Sequence, residues 1–345
     1  MTVARARGFA VRTAAWCIAG AAAVLMLGGC AAFLPQSEAV RTTWPAALAD
    51  RIELTEVPFF AQQDYQCGPA ALATVLGFGG LDVTPDALVS KVYLPQRHGS
   101  LQVEMVAAPR SYGRVSWRLA PRLEDVLREV EHGTPVVVLQ DYGLWPVRIW
   151  HYAVVVGFDR AAGKVVLRSG DKPRLELPLA VLEYTWKPSG YWAMVALAPD
   201  RIAATAREAE WAEAVAAMER VADRPAARTA WRTLMARWPS SLTGAIGLAN
   251  VAYAERNLDE AEQVLRRAVS AHPDSAVALN NLAQVLSERG QHAEALQLID
   301  AAIARGGALR GAIEQTRAQI VRRIEGNHGS NENGKPAALS RGGSR

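Results

Sequence analysis

Short apolar runs set the pattern of the first half of the chain, and helical spacing that of the second. Ahead of both, Arg5 to Arg12 form a basic start and Ala14 to Leu27 an apolar stretch. That stretch has the length of a secretory signal core and falls short of the ~20 residues a bilayer span needs. Val57-Pro58-Phe59-Phe60 reads as extended chain, because the residue before a proline avoids the helical region. Cys67-Gly68-Pro69 opens a run of helix formers, Ala70 to Ala73, with proline in the first turn where its missing N–H costs nothing. Leu101 to Ala108 predicts a helix, and Arg114 to Leu119 alternates as a strand. Leu123 to Glu131 is an amphipathic helix stopped at Gly133. Pro135 to Leu139, Trp150 to Asp159 and Lys164 to Asp171 read as strands, the first two buried. The segment Gly157 to Lys164 imitates a phosphate-binding loop. It is one residue too long and has Val165 where a hydroxyl must bind magnesium, so it reads as strand–turn–strand.

The C-terminal third repeats itself. Leu248-Ala249 recurs as Leu282-Ala283, Ala261 as Ala295, Ala268 as Ala302 and Pro239 as Pro273, always 34 residues apart. This period, with small residues where paired helices touch and proline closing each unit, resembles tetratricopeptide repeats. A degenerate earlier unit runs from Trp211 to Pro239, with Ala227 one period before Ala261. Three units and a capping helix from Ala312 to Ile324 make a minimal solenoid, since no repeat buries its apolar face alone. The resemblance implies a concave face for a peptide or partner helix; a purely stabilising appendage is the alternative. Gly326 to Arg345 is rich in Gly, Asn and Ser and is expected to be disordered.

Composition narrows the function classes. Half of the 345 residues are hydrophobic and 21% are charged, which excludes wholesale disorder. The net charge is +4, and loss of Arg5, Arg7 and Arg12 with the signal segment leaves +1, no footprint for nucleic acid. The six histidines show no metal-ligand spacing, and neither metal nor cofactor is expected. Leu27-Gly28-Gly29-Cys30 resembles the bacterial lipobox. That implies cleavage before Cys30, acylation of Cys30 and, with no Asp following, an outer-membrane lipoprotein facing the periplasm. An uncleaved anchor helix is the alternative.

With Cys17 removed and Cys30 acylated, Cys67 stands alone in an oxidising compartment. It is either a small buried hydrophobe or a reactive thiol. At a helix N-terminus the dipole and unpaired N–H groups favour a thiolate and lower its pKa. Gly68 would let a substrate backbone approach, and Gln62 or Gln63 could donate to a developing oxyanion. His151, at the start of a buried strand, is the best base; His132 caps a helix C-terminus and His98, in a loop, is held in reserve. The loop from Asp141 to Trp150 is rich in aromatics and either walls a groove or packs over the core.

The run from Gln62 to Ala70, with Cys-Gly-Pro-Ala at its end, followed by His151-Tyr-Ala-Val-Val-Val-Gly-Phe-Asp159, resembles the C39 peptidase family. The resemblance covers Val57 to Leu197. It implies a compact α+β papain-like fold with Cys67 as nucleophile, His151 as base and Gln62 as oxyanion donor. The family's third member is Asp or Asn on the next strand. Here that position holds Ser169, with Asp171 two residues on across Gly170; either is the candidate. The expected organisation is a signal peptide at 1–29, a linker at 30–50 from lipidated Cys30, a peptidase domain at 51–198, an all-α tetratricopeptide solenoid at 203–325 and a tail at 326–345. The expected function is a membrane-anchored cysteine peptidase acting on a peptide or protein substrate, with repeats that recruit a protein partner. The alternative is an inactive papain-like module that holds peptides.

Overall fold

A computed structural model describes residues 34–332, apart from 63–65, 98 and 145. Cys30 and the expected signal segment, with Gln63 and His98, lie outside the described residues. Two compact units emerge. One runs to Ala198 and takes in Ala203–Ala206; the other comprises Pro199–Ile202 and the chain from Arg207 on.

The first unit runs α1 (Pro35–Thr42), β1 (Arg51–Glu53), α2 (Cys67–Phe78), α3 (Pro85–Val92), β2 (Tyr93–Leu94), β3 (Gly99–Ser100), α4 (Gln102–Ala107), β4 (Val115–Arg118), α5 (Leu123–Glu131), β5 (Val136–Asp141), β6 (Trp150–Asp159), β7 (Lys164–Ser169), β8 (Lys172–Pro178), α6 (Leu179–Trp186) and β9 (Ala193–Leu197). Six strands pair antiparallel in the order β4-β9-β5-β6-β7-β8, and β1 joins them on β6. β2 and β3 form a separate pair. This is an α+β domain.

β6 is the organising strand. Its first residues pair with β5, placing His151 opposite Gln140, and its last residues pair with β1. The register shifts between Val155 and Gly157, where a Cβ would meet the Ile52 carbonyl oxygen at 2.7 Å. Glycine there is what lets β1 lie against the bulged strand. α2 is buried from Gly68 to Leu76 and packs with α3 and Met105 onto the sheet face carrying Val137, Leu139, Tyr152, Val154 and Met194. The alternate residues Val136, Val138, Ala153 and Val155 are buried on the opposite side, where α5 packs on β6 and α6 on β5. Glu183 of α6, fully buried, accepts from the N–H groups of Gln36 (3.0 Å) and Ser37 (2.6 Å), anchoring the N-terminus of α1.

The second unit is all helical: α7 (Glu208–Glu219), α8 (Arg224–Arg237), α9 (Leu242–Ala254), α10 (Leu258–Ala271), α11 (Ala276–Glu288), α12 (His292–Arg305) and α13 (Arg310–Glu332). Consecutive helices pack on each other, and the repeating small residues Ala227, Ala261, Ala268, Ala295 and Ala302 are all buried. The N-caps share the period. Asp223 and Asn257 cap α8 and α10, Ser241 and Ser275 cap α9 and α11, each by accepting a backbone N–H three residues on. The capping helix is longer than its sequence suggests and runs past Gly326 to Glu332, into the stretch expected to be disordered. Its hydrogen bonding continues from turns anchored by buried Ile313 and Ile320.

Candidate active site

Cys67 is the first residue of α2, with Pro69 two positions into the helix. Its thiol is half-buried and faces the backbone N–H groups of Tyr152, Gly68 and Cys67 itself. Burial nevertheless wins over these donors and pushes the thiol above its ordinary value. The expectation of a thiolate at neutral pH is thereby corrected, because the desolvation cost exceeds what the helix terminus returns. Gly68 is likewise not open to a substrate. A Cβ there would meet Ser100 Oγ at 2.2 Å, so the glycine serves the packing of β3 against α2.

His151 sits at the start of β6, half-buried, with no charged partner at its ring among the described residues. Burial pushes its pKa down to about 4, so the imidazole is neutral at neutral pH. Nε2 lies 2.8 Å from Ser169 Oγ, the last residue of β7. The Tyr142 ring stacks on the imidazole with centroids 4.9 Å apart. Asp171, beyond the turn at Gly170, is exposed and pairs with Lys172 at 3.0 Å. The structure therefore brings Ser169 to His151 and leaves Asp171 in solvent, because the β7–β8 turn carries its side chain outward.

Gln62 and Cys67 converge on one residue. The Gln62 backbone N–H donates to the Gly170 carbonyl at 3.1 Å, and its Nε2 donates to the Tyr152 carbonyl at 3.3 Å. The Tyr152 N–H is the same one that faces the Cys67 sulfur. This edge of β6 is free because β7 pairs with it only from Val154 onward. Sulfur thus meets the backbone of the residue that follows His151.

Two residues of the site were not read from the sequence. Gln140, fully buried, donates to Thr185 Oγ1 at 2.6 Å, and Tyr142 donates to Gln140 Oε1 at 3.1 Å. A buried glutamine ending the apolar run Val136-Val137-Val138-Leu139 was the available signal. The following loop hangs on Asp141, which is buried and accepts from Arg148 and from the N–H groups of Gly143 (3.0 Å) and Ile149 (2.9 Å). Burial alone would raise its pKa, but these donors hold the carboxyl below its usual value. The loop side chains Leu144, Val147, Ile149 and Trp150 are exposed, so they do not pack over the core. Among the described residues no cluster of three or more His, Cys, Asp or Glu could hold a metal.

A cysteine thus opens a buried helix beside a strand that begins with a histidine, within an α+β domain built on an antiparallel sheet and followed in the chain by paired helices. Residues 54–174 match the model of the Peptidase_C39 like family, and residues 205–276 and 246–309 match that of the tetratricopeptide repeat; the chain carries a C39-like domain followed by tetratricopeptide repeats. Among solved structures, the chain is similar to a protein from Bacillus anthracis described as a C39-like peptidase, at 18% identity and a TM-score of 0.37, over 43% of this chain and 98% of that one. It is also similar to the TPR2B domain of yeast Sti1 in its pHsp70 complex, at 22% identity and a TM-score of 0.28, over 29% of this chain and 85% of that one. MamA is similar at 14% identity and a TM-score of 0.27, over 35% of this chain and 81% of that one. No curated protein matches the chain significantly. Tetratricopeptide repeats generally mediate protein interactions.

Proposed function

We propose that the protein is a cysteine peptidase whose nucleophile is Cys67 and whose base is His151. The observation that supports this most is the convergence of the Cys67 thiol and the Gln62 amide on the Tyr152 backbone, directly after a neutral His151. In this reading His151 takes the thiol proton as sulfur attacks the peptide carbonyl carbon. The Cys67 backbone N–H and the second Gln62 amide proton stabilise the oxyanion. The imidazolium then protonates the leaving amine, and water, deprotonated by the imidazole, hydrolyses the thioester to carboxylate and free thiol. Because thiol and imidazole are both neutral at rest, proton transfer accompanies attack instead of preceding it.

The lipobox-like Leu27 to Cys30 supports an acylated Cys30 holding the protein at the outer membrane on the periplasmic side. The repeats then recruit a protein partner or substrate. Incubating the protein with a mixture of defined peptides and identifying new termini by mass spectrometry tests the reading. Cleavage that disappears in Cys67→Ala supports it, and an unchanged mixture contradicts it. A peptide-holding module without hydrolysis is the second reading, favoured by the lack of a carboxylate at His151 among the described residues. Under it, peptides bind the protein equally well with and without the Cys67 thiol and leave intact.

A further inference from the structure

The neutral groups behind His151 share a direction, and that direction can be read from its far end. Thr185 Oγ1 donates its proton to the α6 carbonyls of Val181 (3.0 Å) and Leu182 (3.1 Å). Having spent its proton, Thr185 can only accept from Gln140, whose Nε2 lies 2.6 Å away. That orients the buried amide and turns its carbonyl oxygen, Oε1, toward Tyr142, which donates its own proton there at 3.1 Å. The Tyr142 oxygen is left to accept from Ser169, with which it is hydrogen-bonded. Ser169 Oγ in turn can only accept, and the group 2.8 Å from it is His151 Nε2.

We infer that Thr185, Gln140, Tyr142 and Ser169 form a one-way hydrogen-bond relay that keeps the His151 proton on Nε2 and leaves Nδ1 as the basic nitrogen, making Tyr142 and Gln140 positioning residues. A carboxylate orients an imidazole by charge as well as geometry. The relay does so without charge, which is consistent with an imidazole so readily held neutral. Stacking of Tyr142 on the ring fixes its plane, while the hydroxyl fixes its proton. The tautomer assignment stands on the hydrogen bonds alone; its consequence for catalysis rests on the proposed role of His151 as base.

Tyr142→Phe separates the two contributions, since phenylalanine keeps the stack and lacks the hydroxyl. Ser169 can then turn its own proton toward Nε2 and admit the other tautomer. In the full-length protein labelled with ¹⁵N-histidine, long-range proton–nitrogen spectra at pH 7, assigned with His151→Gln, should show His151 protonated on Nε2. Tyr142→Phe and Ser169→Ala should each give a mixture of tautomers, with the His132 and His272 resonances unmoved as a control for folding. On a cleaved peptide, kcat of Tyr142→Phe should fall about tenfold with KM little changed, as expected when a base loses orientation in the transition state. A wild-type His151 protonated on Nδ1, or a Tyr142→Phe protein that keeps the wild-type tautomer, overturns the relay. The expected spectra without any hydrolysis uphold the relay and overturn the peptidase reading instead.

Discussion

Acidification from pH 7 to pH 4 should weaken the first unit through His151 by about 3 kcal/mol. An unfolded histidine titrates near ~6.5, whereas His151 in the folded chain titrates at about 4. Above the unfolded value both states hold a neutral ring, and stability does not depend on this group. Between the two values the unfolded state binds a proton that the folded state refuses, so stability falls as pH falls, at ~1.4 kcal/mol per unit. Below pH 4 both states are protonated and the loss is complete. The assay is urea unfolding of the wild type and His151→Gln at a series of pH values, taking the difference between them. That difference cancels the second unit. It also cancels Glu129, whose buried carboxyl has a raised pKa and shifts stability in the opposite sense. The wild-type advantage should shrink steadily between pH 6.5 and pH 4. A difference that stays flat over this range would refute the burial of a neutral imidazole, and with it the assignment of His151 as a base ready at neutral pH.

Three further outcomes are expected. Alkylation of Cys67 by iodoacetamide should be slow at pH 7 and rise only above the ~8.5 of an ordinary thiol, because burial raises its pKa; an inflection well below that value would restore the thiolate. A chain ending at Ala206 should fold as the intact first unit does, whereas one ending at Ile202 should lose about 3 kcal/mol, measured by urea unfolding. The second cut strips buried Glu129 of the Ala204 N–H (3.1 Å), the Thr205 N–H (2.8 Å) and the Thr205 hydroxyl (2.7 Å), and equal stability of the two fragments would contradict its role. Cys30→Ser should move the protein from the membrane fraction to the soluble one; a variant that stays membrane-bound contradicts the lipoprotein reading.

What the sequence shows plainly is what local pattern controls. The amphipathic spacing of Leu123 to Glu131 and the apolar run of Trp150 to Asp159 give their elements end for end, because each buries a face wherever the chain goes. Cys67-Gly68-Pro69 marks the start of α2 for a similarly local reason, the tolerance of proline in a first helical turn. The edge strand β8 was not legible. Pro173 and Pro178 argue against a strand, and are tolerated because, among the described residues, β8 pairs only with β7 and its outer edge needs no donors. The chemistry of the site was legible in its residues but not in its electrostatics. Whether Cys67 is ionised depends on how deeply the sheet buries it. Whether Asp171 or Ser169 serves His151 depends on the outward turn at Gly170. The role of Tyr142 depends on a loop whose base is held by Asp141 and Arg148, seven residues apart in the chain.

In the proposed function, the Cys67 thiol is a nucleophile activated by His151. Exposing the folded protein at pH 7 to a peptidyl vinyl sulfone, then measuring the intact mass and the modified peptide, puts this pairing to the test. One equivalent of adduct should form, on Cys67, and far more slowly in His151→Ala. Adduct that forms only after the protein is unfolded in urea, or equally fast without His151, would contradict it.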